Sequence, residues 1–381
     1  MRILHLCLAC YYVDNYNYQE NVLPEINKED GHEVYILAST ETFIENVKLG
    51  FVNPGAYVTE SGIPVKRLAY KKVINQFVSS KIRKYKGVYK ELRKIKPDII
   101  FMHDLCFASV LEVVEYKKQN PDVRLFADTH SAYYNSGTGW LSMNLLHKQY
   151  YKYLIQKTIP FLEKYYYIGA NEKKFNMEVY KVPETIMEFF PLGGILPEKD
   201  KYDYVRKKKR EELGLAEEEL LLVHTGKLDA FKKTDALLNA FYTVKELNAK
   251  LIIIGSIPNE RDKILRKLIE RDKRVTFLGW KRPDEMMEYL CASDLYCQPG
   301  SVSATLQNAI CNFLPVLAYP FQAYRDIDCG NFIWVKKQND IVKAFKDIMN
   351  GKISLDKLKK ETVRCAENIL DYKKLAKRYC K

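Results

Sequence analysis

Short apolar runs alternate with helix-length amphipathic segments along the 381 residues of the chain, and this alternation occurs twice. Most of the runs are continuously apolar, which is typical of strands buried on both faces of a sheet. Strands that alternate with helices predict parallel, doubly wound sheets and an α/β fold. The predicted strands of the first half are 2–8, 32–38, 65–68, 98–103, 123–129 and 164–170. Those of the second half are 220–226, 250–255, 274–279, 294–298, 315–319 and 331–335, with helices at 235–248 and 259–272.

The two halves meet at "FFPLGGILP", where two prolines and two glycines interrupt the pattern. We therefore predict a first domain over 1–193 and a second over 194–365, with a C-terminal helix at about 366–381 that packs back on the first. Two such sheets joined by one hinge predict domains that face each other across a cleft. Ligands of such sheets bind outside the carboxyl ends of the strands.

The net charge of +13 needs an explanation. Much of it lies in 66–96, a segment with twelve Lys and Arg and a single acidic residue, Glu91. A solvated helix face and an anionic membrane surface both remain open as explanations. No helix-turn-helix, zinc-finger or RNP pattern accompanies the charge, so we predict no nucleic-acid partner.

The apolar runs also bear on where the chain resides. None reaches the 18 or so apolar residues that a membrane span requires, and the first run is read as a strand and not as a signal peptide. Among nine cysteines only Cys7 and Cys10 have C-x-x-C spacing, without a second pair to complete a zinc site. We expect a cytoplasmic protein, in contact with the inner membrane face if the basic segment binds lipid.

The segment "GKLDAFKK" follows the predicted strand 220–226 directly. Gly226 lets the chain turn, Lys227 comes next, and Lys232 and Lys233 stand just before a predicted helix near Thr234. Three ammonium groups beside a helix N-terminus suit a diphosphate. The alternative is that these are ordinary surface lysines of a basic protein.

Successive motifs of the second half resemble the nucleotide-sugar-binding domain of retaining glycosyltransferases of family 4, which have the two-domain GT-B fold. The motifs are Gly226–Leu228, Lys232–Lys233, Ile254–Gly255, Val275–Gly279, Met287–Pro299 and Pro315–Val316. The resemblance implies two Rossmann-like domains and a nucleotide-diphosphate sugar as co-substrate. It also implies that Lys227 and Lys232 hold the donor diphosphate, with Gly226, Lys233, Gly255 and Trp280 at the same site.

The first half resembles the same family through "NYNYQENVLPEINKEDGHEVYIL" and through two histidines at strand ends. Residues 15–21 stand where the family has a glycine-rich loop, so acceptor contact by Tyr18 and Gln19 is expected here. His130 matches the position that contacts the transferred sugar, and His103 is a second candidate for acceptor binding. Tyr133 begins a tyrosine-rich stretch that either stacks on an acceptor sugar or packs.

The twenty residues 297–316, "CQPGSVSATLQNAICNFLPV", contain no charged side chain. The family normally has Glu-x7-Glu here; Asn308 takes the second position, and the first has no counterpart. A helix N-terminus offers N–H groups and a partial positive charge to a phosphate. Ser301 and Ser303 are either helix caps, which we favour, or ligand donors beside Thr305, and Asn308 can bind ribose. The predicted buried helix face is Leu306, Ala309, Ile310 and Phe313.

These motifs predict a glycosyltransferase that moves a sugar from a nucleotide-diphosphate donor to a glycan or lipid-linked glycan acceptor in surface polysaccharide biosynthesis. Retention of configuration is implied by the resemblance alone. We recognise no Asp-x-Asp metal-binding signature and therefore expect metal independence. The missing acidic pair keeps open a catalytically inactive binding protein that serves a partner enzyme. A nicotinamide-dependent oxidoreductase is disfavoured, since no G-x-G-x-x-G follows a predicted strand.

Overall fold

The computed structural model describes residues 1–44 and 48–381, which form two compact units. The N-terminal unit comprises Met1–Pro191 together with Tyr372–Lys381, and the C-terminal unit comprises Leu192–Asp371. The chain therefore leaves the N-terminal unit once and returns to it near its end. The predicted first boundary differs from the observed one by two residues and the predicted second by six.

The N-terminal unit is built on a mostly parallel sheet. Its strands are β1 (Arg2–Cys7), β2 (Glu33–Ser39), β3 (Glu41–Ile44), β4 (Lys48–Phe51), β5 (Gly55–Val58), β6 (Pro64–Leu68), β7 (Ile99–His103), β8 (Arg124–Thr129), β9 (Lys164–Tyr167) and β10 (Met187–Phe189). Its first helices are α1 (Gln19–Glu29), α2 (Gln76–Ile82), α3 (Val88–Ile95), α4 (Val110–Gln119), α5 (Lys152–Thr158) and α6 (Ala170–Phe175). A π-helical segment, Ser142–Tyr151, leads into α5.

Eight strands form this sheet in the order β10-β9-β8-β7-β1-β2-β6-β5, and all neighbours are parallel except β5 and β6. The strand order reverses between β1 and β7, which makes their carboxyl ends the expected ligand position. Strands β3 and β4 form a separate antiparallel pair. Because the central strands β1, β7 and β8 are buried along almost their whole length, they appear in the sequence as continuous apolar runs.

The C-terminal unit has a six-stranded, fully parallel sheet. Its strands are β11 (Leu220–Lys227), β12 (Ala249–Ser256), β13 (Val275–Phe277), β14 (Leu295–Gln298), β15 (Val316–Ala318) and β16 (Phe332–Trp334). Its helices are α7 (Lys199–Glu212), α8 (Thr234–Thr243), α9 (Asn259–Glu270), α10 (Pro283–Ala292), α11 (Ala304–Cys311), α12 (Gln338–Met349) and α13 (Leu355–Cys365). The strand order β13-β12-β11-β14-β15-β16 is that of a Rossmann fold and reverses between β11 and β14.

The last ten residues return to the N-terminal unit through α14 (Tyr372–Ala376). Tyr379 is fully buried there, with its ring centroid 4.7 Å from that of Phe101. Its hydroxyl donates to Asn27 Oδ1 at 2.8 Å. Arg378 Nε donates to Glu188 Oε1 at 3.1 Å. These contacts make the C-terminal tail a part of the hydrophobic core around β1, β7 and β8.

All twelve predicted strands are present, so the prediction of two doubly wound sheets is confirmed. The short strands β3, β4, β5 and β10 were not predicted, because runs of three or four residues carry little pattern. Helix α8 begins at Thr234, as predicted, but ends at Thr243. In the part of the chain that the structure describes, no helix is both long and apolar enough to cross a membrane.

Candidate functional site

A pocket of about 370 Å³ lies at the carboxyl ends of β11 and β12, next to the start of α11. We call it the C-terminal pocket. Its lining residues are Thr225, Gly226, Lys227, Ile254, Gly255, Ser256, Trp280, Lys281, Pro283, Met286 and Thr305. It occupies the side of the sheet where the strand order reverses, the position at which open α/β sheets bind ligands.

The floor of the C-terminal pocket is formed by two glycines on paired strands. Gly226 and Gly255 are register partners in β11 and β12. Gly255 has a φ of +144°, and a β-carbon built on it would lie 1.8 Å from the carbonyl oxygen of Gly226. Only glycine fits this approach, and the absence of two side chains leaves the ends of both strands open to a ligand.

Lys232 is not among the residues that line the C-terminal pocket, but its side chain lies against Gly226 of the floor. The residue is 7% exposed, and a β-carbon built on Gly226 would lie 3.2 Å from its ammonium nitrogen. Burial lowers the pKa of Lys232, and the charge of Asp229 opposes this only in part. The Asp229 carboxylate instead accepts the backbone N–H groups of Phe231 and Lys232 itself. Within residues 1–44 and 48–381, the ammonium of Lys232 has neither an ion pair nor a hydrogen bond, so its charge lacks a partner.

The position of Lys232 is fixed by neighbours on three elements. His224 in β11 connects the Cys297 carbonyl oxygen, 2.7 Å from its Nδ1, with Thr234 Oγ1, 2.9 Å from its Nε2. The N–H of Ser301 donates to the Phe231 carbonyl at 2.8 Å. These hydrogen bonds hold the residues on either side of Lys232, Phe231 and Thr234, to neighbouring strand ends and turns.

The uncharged stretch begins at this pocket, but only part of it lines the cavity. Thr305 does, whereas Ser301, Ser303 and Asn308 are not among the lining residues. Ser303 stands at the N-cap of α11, yet its side chain makes no capping hydrogen bond, so the favoured capping role is wrong for this residue. Its N–H donates to the Tyr324 hydroxyl at 3.0 Å.

The helix face predicted for this stretch is correct in three of four positions. Leu306, Ala309 and Ile310 are buried in α11. Phe313 lies beyond the end of the helix with a φ of +62° and is only partly buried.

Lys227, Lys233 and Trp280 have different positions relative to the C-terminal pocket. Lys227 is exposed and lines it, and Trp280 stands at its rim with 69% of its surface exposed. Lys233 does not line the pocket; its ammonium lies 4.7 Å from the Tyr319 ring centroid. Lys281 was missed by the sequence analysis although it follows Trp280 directly.

A second pocket, of about 610 Å³, lies at the carboxyl ends of β1, β7 and β8. We call it the N-terminal pocket. Of the predicted residues, Tyr18 and His130 line it. Further lining residues, which the sequence analysis did not name, include Glu20, Lys81, Arg83, Asp104, Asn135, Ser136, Thr138, His147 and Tyr151. The lining combines aromatic rings, amides, hydroxyls and charges, a composition suited to sugars.

His130 belongs to a polar network that extends into the core. Its Nε2 lies 3.7 Å from Asp128 Oδ1, and His103 Nδ1 lies 3.0 Å from Asp128 Oδ2. Burial alone would lower the pKa of His130, but the interaction with the nearby Asp128 carboxylate outweighs it and raises the pKa. The charge and hydrogen bond of Asp128 likewise outweigh burial and raise the pKa of His103, while burial lowers that of His5 to about 3. The network therefore favours a protonated His130 at the pocket.

Three predicted acceptor residues are not among the lining residues of the N-terminal pocket. His103 is 1% exposed and lies between Asp128 and His5, which contradicts the prediction of acceptor contact. Gln19 is 2% exposed, and its amide oxygen and nitrogen have no partner among the described residues. Tyr133 is exposed and donates to Glu178 Oε2 at 2.7 Å.

One Asp-x-Asp triplet, Asp326–Asp328, was overlooked in the expectation of metal independence. The Asp328 carboxylate accepts hydrogen bonds from the N–H of Gly330 at 3.0 Å and from the Trp334 indole N–H at 3.3 Å. Both of its oxygens therefore stabilise the turn in which Asp328 lies. The triplet lines neither pocket. In the described part of the chain, no group of three or more His, Cys, Asp or Glu side chains is arranged to hold a metal ion.

Comparison with known proteins agrees with this architecture. Residues 205–364 match the family model described as Glycosyl transferases group 1. Over the whole chain the fold is similar to that of HepE from Anabaena in complex with UDP, with a TM-score of 0.66, 13% identity, and coverage of 100% of this chain and 98% of that one. No curated protein sequence matches the chain.

Two further solved structures have the same fold. Sucrose-phosphate synthase from Thermosynechococcus elongatus gives a TM-score of 0.62 at 14% identity, covering 99% of this chain and 97% of that one. WaaG, a glycosyltransferase involved in lipopolysaccharide biosynthesis, gives 0.57 at 16% identity, covering 98% of each chain. The matched domain and the GT-B fold together define the chain as a glycosyltransferase.

Proposed function

We propose that this glycosyltransferase moves a sugar from a nucleoside-diphosphate donor to a glycan or lipid-linked glycan, with retention of configuration, in surface polysaccharide biosynthesis. The observation that carries the proposal is the ammonium of Lys232, which lies beside Gly226 of the pocket floor, on a residue only 7% exposed, and has no ion pair or hydrogen bond among the described residues. A buried charge is costly unless it is paired. An unpaired ammonium group beside a pocket is therefore suited to an anionic ligand. The diphosphate of a nucleotide-sugar donor is such an anion.

The rest of the C-terminal pocket supports the same ligand. Lys227 adds a second cation at the rim, and the start of α11 adds N–H donors with the positive end of the helix dipole. During transfer, negative charge accumulates on the departing diphosphate, so these groups would stabilise the transition state more than the ground state. Trp280 would stack on the base. HepE was solved with UDP, which makes UDP the first nucleotide to test.

His130 would position the sugar that is transferred or the acceptor that receives it. Its protonated ring can donate hydrogen bonds, and the Asp128 carboxylate, 3.7 Å away, favours its positive charge. We name no general base, because no carboxylate is among the described residues that line the C-terminal pocket. Metal independence remains part of the proposal.

The alternative function is a binding protein that has lost catalysis and serves a partner enzyme. The observation that favours it is the lack of any carboxylate in 297–316, where the resembled family has two. This alternative predicts that neither UDP nor GDP binds.

Calorimetric titration of the whole protein with UDP, GDP and their sugars tests the proposal. We expect one base to bind, and a Lys227→Ala/Lys232→Ala double variant to lose at least about 100-fold in affinity, since two charge-assisted contacts disappear. Lys343→Ala, an exposed lysine on α12, is the matched control and should bind as the unaltered protein does. Absence of binding to every nucleotide would contradict the proposal and favour the alternative.

We also propose that the protein rests on an anionic membrane surface through residues 71–77. Ile74 and Phe77 are 81% and 71% exposed, and the neighbouring Lys71 and Lys72 are exposed cations. An apolar side chain flanked by lysines suits the headgroup region of anionic lipid, where each basic residue contributes about 1 kcal/mol.

Co-sedimentation with vesicles tests this contact. We expect binding to vesicles that contain phosphatidylglycerol, weaker binding at high salt, and loss of binding in an Ile74→Ser/Phe77→Ser variant. The control is Val58→Ser, which removes an apolar side chain on β5 that is 62% exposed. Equal binding to neutral phosphatidylcholine vesicles would contradict the charge argument.

A further inference from the structure

The N-terminal pocket contains two cations from the basic segment 66–96 that the proposed function does not use. Lys81 lies in the last turn of α2, and Arg83 follows that helix directly. Both line the pocket. From its sequence, this segment could be either a solvated helix face or a lipid-binding surface. The structure directs two of its side chains toward the same cavity as His130.

The backbone that carries these cations is held by the surrounding elements. The Tyr151 hydroxyl donates to the Lys81 carbonyl oxygen at 2.5 Å. The N–H of Ala108 donates to the Ile82 carbonyl at 3.0 Å. The last carbonyl groups of α2 are thus satisfied by protein donors, which keeps the two side chains at the pocket without any ligand.

Neither cation has a carboxylate partner in the part of the chain that the structure describes. The guanidinium of Arg83 makes one long contact, 3.5 Å from Nη1 to the Cys106 carbonyl oxygen. Lys81 has only a contact of its ammonium with the Phe77 ring, 5.5 Å from the centroid. A partly buried guanidinium presents five N–H donors in a planar fork, which matches a phosphate or a carboxylate.

The acidic groups of the pocket have other partners. Asp104 accepts the N–H of Cys106 at 3.0 Å and the Ser131 hydroxyl at 3.1 Å. Glu20 acts on His130, whose pKa it helps to raise after the larger contribution of Asp128. Burial lowers the pKa of His147, and the charges of Arg83 and Lys81 lower it further, so the positive charge on this side of the pocket comes mainly from these two residues.

We propose that the acceptor carries an anionic group, a phosphate or a carboxylate on its sugar, and that Arg83 and Lys81 bind this group in the N-terminal pocket. The inference rests on the proposed function, since it concerns the acceptor of that reaction. A cavity of about 610 Å³ is in the usual range for small-molecule sites and has room for a charged sugar unit.

Binding of small probes to the whole protein tests this inference. The probes are D-glucose 6-phosphate, D-glucuronate and neutral D-glucose, titrated at low and high salt. We expect the charged sugars to bind roughly tenfold more tightly than glucose, or better, with a preference that weakens at high salt. Arg83→Gln should abolish the preference and Lys81→Gln should reduce it. Lys84→Gln, an exposed neighbour that does not line the pocket, should keep it.

Equal affinity for charged and neutral sugars, no binding of either charged sugar, or a preference that survives in Arg83→Gln would each overturn the inference. Thermal unfolding of each variant checks that the fold is intact, and Arg83→Lys, which keeps the charge, should recover part of the preference.

A parallel UDP titration separates this inference from the proposed function. If UDP binds as expected and the sugars show no preference, only the anionic acceptor is wrong. If UDP and GDP both fail, the proposed function is wrong. Competition by phosphatidylglycerol vesicles against D-glucose 6-phosphate distinguishes a lipid-borne phosphate from a soluble one, and either source is consistent with the inference.

Discussion

Replacing Lys232 by Met is expected to stabilise the C-terminal unit and, at the same time, to abolish high-affinity nucleotide binding. Lys232 is only 7% exposed and its ammonium has no partner among the described residues, so its charge is partly desolvated in the free protein. Met has a similar length and no charge. We expect a gain of about 1–3 kcal/mol in the free energy of unfolding, by analogy with other replacements of buried charge. That gain corresponds to a rise of roughly 2–10 °C in Tm.

Differential scanning calorimetry with and without UDP measures both effects. The unaltered protein should gain stability from UDP, whereas Lys232→Met should start higher and gain almost nothing. Lys343→Met serves as the matched control, since that side chain is exposed on α12. A lower Tm for Lys232→Met would mean that the ammonium has a stabilising structural role, and the argument for a ligand-directed charge would fail.

Replacing Gly255 by Ala is expected to destabilise the C-terminal unit strongly. The new methyl group would lie 1.8 Å from the Gly226 carbonyl oxygen, and the φ of +144° is one that residues with a side chain rarely adopt. Overpacking and backbone strain together predict a loss of about 3–5 kcal/mol. Any relief must separate the ends of β11 and β12, which would also distort the floor of the pocket.

The matched control is Gly214→Ala, at a position with a φ of +58° and nothing within 4 Å of the new methyl group. Gly214→Ala should lower the free energy of unfolding by only about 1–2 kcal/mol, because alanine is less stable than glycine in the left-handed backbone conformation. Chemical denaturation of both variants measures the difference. If Gly255→Ala loses no more stability than Gly214→Ala, the close approach of the two strands is not as the structure has it.

The fold could be predicted from the sequence because strands buried on both faces leave continuous apolar runs. The same runs locate strand ends, and Gly226, Lys227 and Gly255 line the C-terminal pocket because they stand at such ends. His103 shows where this reasoning stops. It is the register partner of Asp128 and is still within the sheet, whereas His130 lies just beyond it. The predicted strands already made this distinction, but they could not show that His5 and Asp128 on the neighbouring strands contact both ring nitrogens of His103.

The cations of the N-terminal pocket could not have been predicted from the sequence. Lys81 and Arg83 are two of twelve basic residues in 66–96, and nothing in that composition separates them from their neighbours. Tertiary contacts distinguish them from their neighbours. The Tyr151 hydroxyl and the backbone N–H of Ala108 donate to the last carbonyl groups of α2 and hold the end of that helix. Such contacts join residues far apart in the chain and leave no local pattern.

The return of the last ten residues to the N-terminal unit has a consequence for biosynthesis. Tyr379 completes a hydrophobic cluster with strands made near the start of the chain. A ribosome therefore finishes the whole C-terminal unit before it delivers the final piece of the N-terminal one. Domains generally fold in the order in which they emerge. Here the unit that emerges first is completed last, and the C-terminal unit is the first whose full set of residues is available for folding.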